Sequence, residues 1–204
     1  VEDKKIVLEN VMKAAEGKLT VIAHVACNNT KDSQELARHA ESLGVDAIAA
    51  IPPIYFHLPE YAIAQYWNDI SAAAPNTDFV IYNIPQLAGV ALTMNLFAEM
   101  RKNPRVIGVK NSSMPVQDIQ MFKAVAGEDY VIFNGPDEQF MSGRVIGAEG
   151  AIGGTYGVIK AMLKINEGLE LGGVREPLPA LIESDMAIVE EAAKMVRDAK
   201  EKFL

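Results

Sequence analysis

Six short apolar runs, each closed by polar or turn-forming residues, punctuate this chain and constrain its fold more than any other feature. They lie at residues 19–25, 45–53, 79–85, 105–113, 130–138 and 150–157. Between them apolar residues recur at helical spacing: Leu36, Ala37, Ala40 and Leu43 before Gly44; Ile63, Ala64, Trp67 and Ile70 after Pro59; Leu96, Phe97 and Met100 after Thr93. Ile6, Val7, Val11 and Met12 form a similar face ahead of the first run, and residues 118–126 another. Strand and helix therefore alternate, a pattern of parallel strands joined by crossover helices. In such folds ligands bind at the C-terminal ends of the strands, where loops and helix N-termini converge. That rule sets Tyr82, Lys110, Asp137, Glu138 and Gly153 around one mouth.

Lys110 is the residue with the clearest chemical meaning. Val106, Ile107 and Val109 read as a buried parallel strand, and Lys110 stands where it stops. A lysine facing a water-poor pocket loses the hydration that favours its ammonium form, and a free amine attacks carbonyl carbons. A solvated lysine opening a loop is the plainer alternative. The neighbouring strand ends favour chemistry: Tyr82-Asn83-Ile84-Pro85 upstream, Asn134-Gly135-Pro136-Asp137-Glu138 and Gly153-Gly154 downstream.

Composition excludes several other classes. With 204 residues, half of them hydrophobic, the chain can bury one sizeable core. No linker divides it, so residues 1–204 read as one domain with a helical C-terminal portion at 158–204. Ala187, Ile188, Ala192, Met195 and Val196 mark an amphipathic helix there, with an apolar approach at 178–182. A net charge of −8 without a basic stripe argues against a nucleic-acid partner. No apolar run is long enough to span a membrane. The single Cys27 excludes an internal disulfide and suits a reducing cytoplasm. His24, His39 and His57 lack the spacing of a zinc site, so no metal is expected. There is neither a GxGxxG nor a P-loop.

At these residues the chain resembles the family of class I aldolases that contains N-acetylneuraminate lyase and dihydrodipicolinate synthase. The likeness rests on Tyr82-Asn83-Ile84-Pro85 and Gly108-Val109-Lys110 at their spacing, and runs over most of the length. Residues 134–138 look like the sialic-acid branch; Gln86-Leu87-Ala88-Gly89 stand where the other branch usually carries an arginine. The resemblance implies an α/β fold of the (β/α)8 TIM-barrel type, with about six βα units visible here. It implies a Schiff base between Lys110 and the substrate ketone, proton transfer by Tyr82 and a supporting role for Tyr55. Ser112 would hold the substrate near the imine. Gly135, Asp137 and Glu138 would bind the sugar, and Gly153 and Gly154 would let the backbone approach it. The implied reaction is reversible cleavage of sialic acid to N-acetylmannosamine and pyruvate, with no metal or organic cofactor. The implied partners are these small molecules and further copies of the chain, as dimer or tetramer, with Tyr55-Phe56 near a contact.

Each residue also has a structural reading. Tyr82 can be a core tyrosine, Asp137 and Glu138 can open a helix over 139–146, and Ser112 and Ser113 can cap a helix near Pro115. Tyr55-Phe56 can be packing. The chain also departs from the family. The first two strands, with a Gly-Ser/Thr-Ser/Thr-Gly-Glu loop that holds the pyruvoyl carboxylate, would precede Val1. Several dozen helical residues are expected between Gly157 and Val158. The chain therefore reads as a fragment or a processed form, whose six strands leave two unpaired edges. Another pyruvate-dependent aldolase of the family, or an inactive binding or scaffold chain, are the alternative functions.

Overall fold

In the computed structural model, which describes residues 1–153, 156–170 and 181–203 (backbone alone at 156–160 and 203), six strands form one parallel sheet in chain order. They are β1 (Ile22–His24), β2 (Ala47–Ala50), β3 (Asp78–Asn83), β4 (Val106–Asn111), β5 (Val131–Asn134) and β6 (Gly150–Ala151). Helix α1 (Glu2–Ala15) precedes the sheet; α2 (Thr30–Ser42), α3 (Glu60–Ala73), α4 (Pro85–Ala88), α5 (Met94–Met100), α6 (Gln117–Ala126) and α7 (Phe140–Val145) connect its strands. Residues Val1–Ile152 form one compact unit and Gly153–Leu204 a second. The second holds α8 (Tyr156–Glu167) and α9 (Glu183–Phe203), where Asn166 donates to the Ala193 carbonyl at 3.1 Å.

Local chemistry sets the helix starts. Asn29 accepts the Asp32 N–H at 2.8 Å and Thr93 accepts the Leu96 N–H at 3.1 Å, each satisfying an orphan amide of the first turn. Helix α3 begins directly after Pro59, whose missing donor is no loss there. Each helix then buries one face. Leu36, Ala37 and Ala40 of α2 and Ile63, Trp67 and Ile70 of α3 pack onto Ile48, Ala50, Phe79, Ile81, Val109 and Ile132 of the sheet.

Strand residues alternate between faces, so the other face carries a different set. Ala47, Ala49 and Val80 form a small apolar cluster with Ile22 and Ile107.

The first strand is shorter than its apolar run. Leu19 is 69% exposed, and the Val21 N–H is taken by the Asp46 carboxylate at 2.7 Å instead of a neighbouring strand. Helix α6 starts at Gln117 without a side-chain cap, because Ser113 turns inward to other partners. Asp137 and Glu138 form a 3-10 turn (Asp137–Gln139) ahead of α7. The approach expected at 178–182 lies mostly outside the described residues. Among the described residues no pairing joins β6 to β1, so both are edge strands.

Candidate active site

The β3–β4 register sets Tyr82 opposite Lys110 on the face that points away from the helical core. Lys110 is only 9% exposed, and its Nζ lies 3.6 Å from the centroid of the Tyr82 ring. The ring's negative face thus meets the side-chain nitrogen directly. On the other side of Lys110 the register brings Phe133 of β5. The sequence expectation that Lys110 and Tyr82 share one mouth is met at side-chain distance.

A third residue joins them that sequence reasoning passed over. His24 ends β1, and its ring stands nearly perpendicular to Tyr82, 82° between planes, with centroids 5.9 Å apart. The Ile51 N–H donates to its Nε2 at 3.4 Å. Loss of hydration first, then the positive charges of Lys4 and Lys110, push its pKa down to about 4. His24 as a whole is nonetheless exposed. The sequence signal for His24 is its position near the end of the first apolar run.

The opposite face at the same strand ends is tied by amides. Asn83, Asn111 and Asn134 lie in register across β3, β4 and β5, all at most 3% exposed. Asn83 accepts the Leu92 N–H at 2.9 Å and donates to Asn111 Oδ1 at 2.7 Å. Asn111 donates to Ser113 Oγ at 2.9 Å, and Ser113 donates to Asp118 at 2.6 Å. This chain of directional bonds fixes the backbone that carries Tyr82 and Lys110.

Ser112 and Gly135 are brought together. The Ser112 N–H bonds the Asn83 carbonyl at 2.7 Å, and the Gly135 N–H bonds the Asn111 carbonyl, also at 2.7 Å. A β-carbon at Gly135 would collide with Ser112 Oγ and lie 2.7 Å from the Asn111 carbonyl oxygen, so glycine is required by close approach. Asp137 and Glu138 follow within three residues, Asp137 half-buried and Glu138 exposed.

Tyr55 is not drawn into this cluster. It is 86% exposed, packs edge-on against Phe56 at 4.9 Å, and among the described residues no hydrogen bond or ring contact links it to Tyr82. Its backbone sits at φ 89°, a region that residues with a β-carbon rarely adopt. An open cavity of about 830 Å³ beside it is lined by Asn28, Pro53, Tyr61, Tyr66 and Asp69 and excludes Lys110. Gly153 opens the second compact unit, and Gly154 lies outside the described residues. Cys27 is half-buried, its backbone closed into a loop by Ser33 and Tyr66. Among the described residues no group of three or more potential ligands could hold a metal ion, and no helix is long and apolar enough to cross a membrane.

The sequence profile of the dihydrodipicolinate synthetase family matches residues 1–193. The chain belongs to the dihydrodipicolinate synthetase family. Within that family it is 73% identical to N-acetylneuraminate lyase of Mediterraneibacter gnavus, across 100% of this chain and 79% of that protein. That alignment extends over 248 positions against 204 residues here, a difference of 44, so the relative carries residues within the aligned region that this chain lacks. N-acetylneuraminate lyase of an Enterobacter species is 37% identical over 77% of this chain, a match spanning 52% of that protein. The solved structure of a catalytic lysine mutant of Ruminococcus gnavus sialic acid aldolase superposes with a TM-score of 0.95 at 72% identity. It covers 100% of this chain and 81% of that one. The six parallel βα units here thus belong to the family's TIM-barrel fold.

Proposed function

We propose that this family member is an N-acetylneuraminate lyase, a class I aldolase that cleaves the open-chain sugar acid reversibly to N-acetylmannosamine and pyruvate. The observation that carries the reading is Lys110, a nearly buried lysine whose Nζ lies 3.6 Å from the Tyr82 ring centroid at the sheet's C-terminal ends. The catalytic lysine of the 72%-identical sialic acid aldolase supports the assignment of that role to Lys110.

In this reading the Lys110 amine adds to the C2 ketone, and loss of water leaves a protonated imine. Tyr82 takes the proton from the C4 hydroxyl as the C3–C4 bond breaks. The aldehyde departs, and the bonding electrons pass into the imine as an enamine. Protonation at C3 and hydrolysis then release pyruvate and restore the amine. The imine is the electron sink, so the steps call for no metal or organic cofactor.

Ser112 and Gly135, packed together beside Lys110, suit contacts near the imine. Asp137 and Glu138 offer carboxylates to the hydroxyls of the sugar. Gly153 and Gly154 are assigned to the sugar side by family resemblance alone, and Tyr55 to support of the proton relay. We place the reaction in the cytoplasm, where a free thiol such as Cys27 persists. The exposed Tyr55, Phe56 and Tyr61 support assembly with further copies of the chain.

Borohydride reduction in the presence of pyruvate tests the central step. Intact mass should show one reduced pyruvate adduct, lost in Lys110→Ala and in Lys110→Arg, since a guanidinium makes no imine. An adduct that survives Lys110→Ala refutes the assignment. No adduct on the unaltered chain, which lacks a Gly-Ser/Thr-Ser/Thr-Gly-Glu loop, favours an inactive binding chain.

A further inference from the structure

The buried amides behind Tyr82 and Lys110 belong to a chain of hydrogen bonds with a single direction. The Leu92 N–H donates to Asn83 Oδ1 at 2.9 Å, and Asn83 Nδ2 donates to Asn111 Oδ1 at 2.7 Å. Asn111 Nδ2 donates to Ser113 Oγ at 2.9 Å, and the Ser113 hydroxyl donates to Asp118 Oδ2 at 2.6 Å. The direction is fixed at both ends, because a backbone N–H only donates and an ionised carboxylate only accepts. Turning the Asn111 amide over would set its NH2 against that of Asn83. Turning Asn83 as well would aim a donor at the Leu92 N–H. Asn83, Asn111 and Ser113 are 3%, 1% and 4% exposed, so water offers little repair of a wrong orientation. Asn134, next in the row, donates to the Pro136 carbonyl instead. The chain therefore joins β3 to β4, the strands that carry Tyr82 and Lys110 one position earlier. Its charged terminus, Asp118, lies in the first turn of α6, where a negative charge suits the helix dipole.

We propose that Asp118 is a positioning residue for the aldolase reaction: its carboxylate ends the chain, sets the direction of both amides, and so holds the Tyr82 ring against Lys110. The inference rests on the aldolase reading for the reaction served, whereas the geometry that Asp118 controls can be measured without any reaction. Without the carboxylate, the Ser113 hydroxyl has no good acceptor. The Pro115 carbonyl, at 3.5 Å, is at the limit of a hydrogen bond. Ser113 can donate back to Asn111 only if that amide turns over, which passes a conflict of donors along to Asn83 and Leu92. Two donors in one buried gap push the ends of β3 and β4 apart. Lys110 Nζ lies 3.6 Å from the Tyr82 centroid, so a small displacement there changes the approach of amine and phenol to one substrate.

Three variants separate this role from simple support of α6. Asp118→Ala removes the acceptor. Asp118→Asn keeps an oxygen that can accept. Ser113→Ala cuts the chain and leaves the charge on α6 in place. Two measurements are made on each full chain. The first is the NMR shift of the Lys110 ε-methylene, one bond from Nζ, which the ring current of Tyr82 moves upfield; the signal is assigned by its loss in Lys110→Arg. The second is cleavage of N-acetylneuraminate, read as the saturating rate and the half-saturating concentration. Asp118→Ala should lose most of the upfield shift and cleave about tenfold more slowly at saturation, with the half-saturating concentration changed less than about twofold. Ser113→Ala should match it, the double variant should be no worse than either, and Asp118→Asn should recover most of the loss. If emission of Trp67 shows that Asp118→Ala disturbs folding, Ser113→Ala decides alone. An unmoved Lys110 signal overturns the proposal, as does a Ser113→Ala variant that behaves as the unaltered chain, which marks Asp118 as a support of α6. If the unaltered chain cleaves no sugar, the aldolase reading fails, and the NMR shift alone upholds or refutes the positioning role.

Discussion

Replacing Asn111 by alanine tests whether the buried amide chain holds the strand ends together. In the folded protein Asn111 Oδ1 accepts from Asn83 at 2.7 Å and Asn111 Nδ2 donates to Ser113 at 2.9 Å. Both bonds disappear in the variant, with unequal consequences. Ser113 keeps its bond to Asp118 at 2.6 Å, so its loss is that of one ordinary hydrogen bond, about 1 kcal/mol. Asn83, 3% exposed, is left with a buried amide donor and no acceptor, a desolvation cost of about 1–3 kcal/mol. The sum is about 2–4 kcal/mol, a large share of the stability of a typical domain. The chain has one tryptophan, and Trp67 is 1% exposed in the first compact unit, so its emission in a urea titration reports that unit alone. A double-mutant cycle with Asn83→Ala should show positive coupling, because the double variant strands no Asn83 amide. A loss below about 0.5 kcal/mol for Asn111→Ala would refute the reasoning, since that is the range of ordinary surface substitutions.

Three further outcomes are expected. By NMR titration His24 should take up its proton near pH 4, below the ordinary 6.5, and Lys4→Ala should raise the midpoint. Between those two values the unfolded chain binds a proton that the folded chain refuses; stability contributed by His24 is therefore full above pH 6.5 and declines as pH falls through the window. A midpoint at or above the ordinary value contradicts the desolvation argument. Gly135→Ala should destabilise by about 1–3 kcal/mol through collision with Ser112, and Ser112→Gly should relieve part of that loss; additive effects in chemical denaturation would show that the two do not touch. Asp137→Asn and Glu138→Gln should lower catalytic efficiency for sugar cleavage by about ten- to hundredfold while leaving pyruvate trapping nearly intact. Equal losses in both assays would assign these carboxylates to the Lys110 pocket instead.

The alternation of runs and the partnership of Lys110 with Tyr82 were legible because each depends on short-range pattern: an apolar strand, a polar stop and a fixed spacing between two such stops. The boundaries of β1 were less so. Leu19 and Val21 are as apolar as the strand, but pairing is decided by the neighbour, and Asp46 intercepts the Val21 amide. His24 was hidden for a related reason. Its meaning comes from Tyr82 and Ile51, 58 and 27 positions away in sequence, and only the lateral order of strands brings them together. The same holds for Gly135, whose need to be glycine is set by Ser112 on the adjacent strand end. The role given to Tyr55 comes from resemblance alone; its side chain is exposed and packs edge-on against Phe56.

The row of asparagines has one more consequence, for how the strands find their alignment during folding. Sliding β3 past β4 by a single residue would turn every side chain to the wrong face, and burial alone forbids it. A slide of two residues would keep every face correct, so the hydrophobic pattern offers little resistance to that error. It would, however, set Asn83 against Val109 or Ser113 in place of Asn111, and Tyr82 against Gly108 or Ser112 in place of Lys110. A buried amide facing valine has no acceptor, so the paired amides reject the misalignment toward Val109 that greasy contacts would tolerate. The two residues of the proposed chemistry sit one position before this checkpoint on each strand, and so inherit its selectivity for the correct alignment.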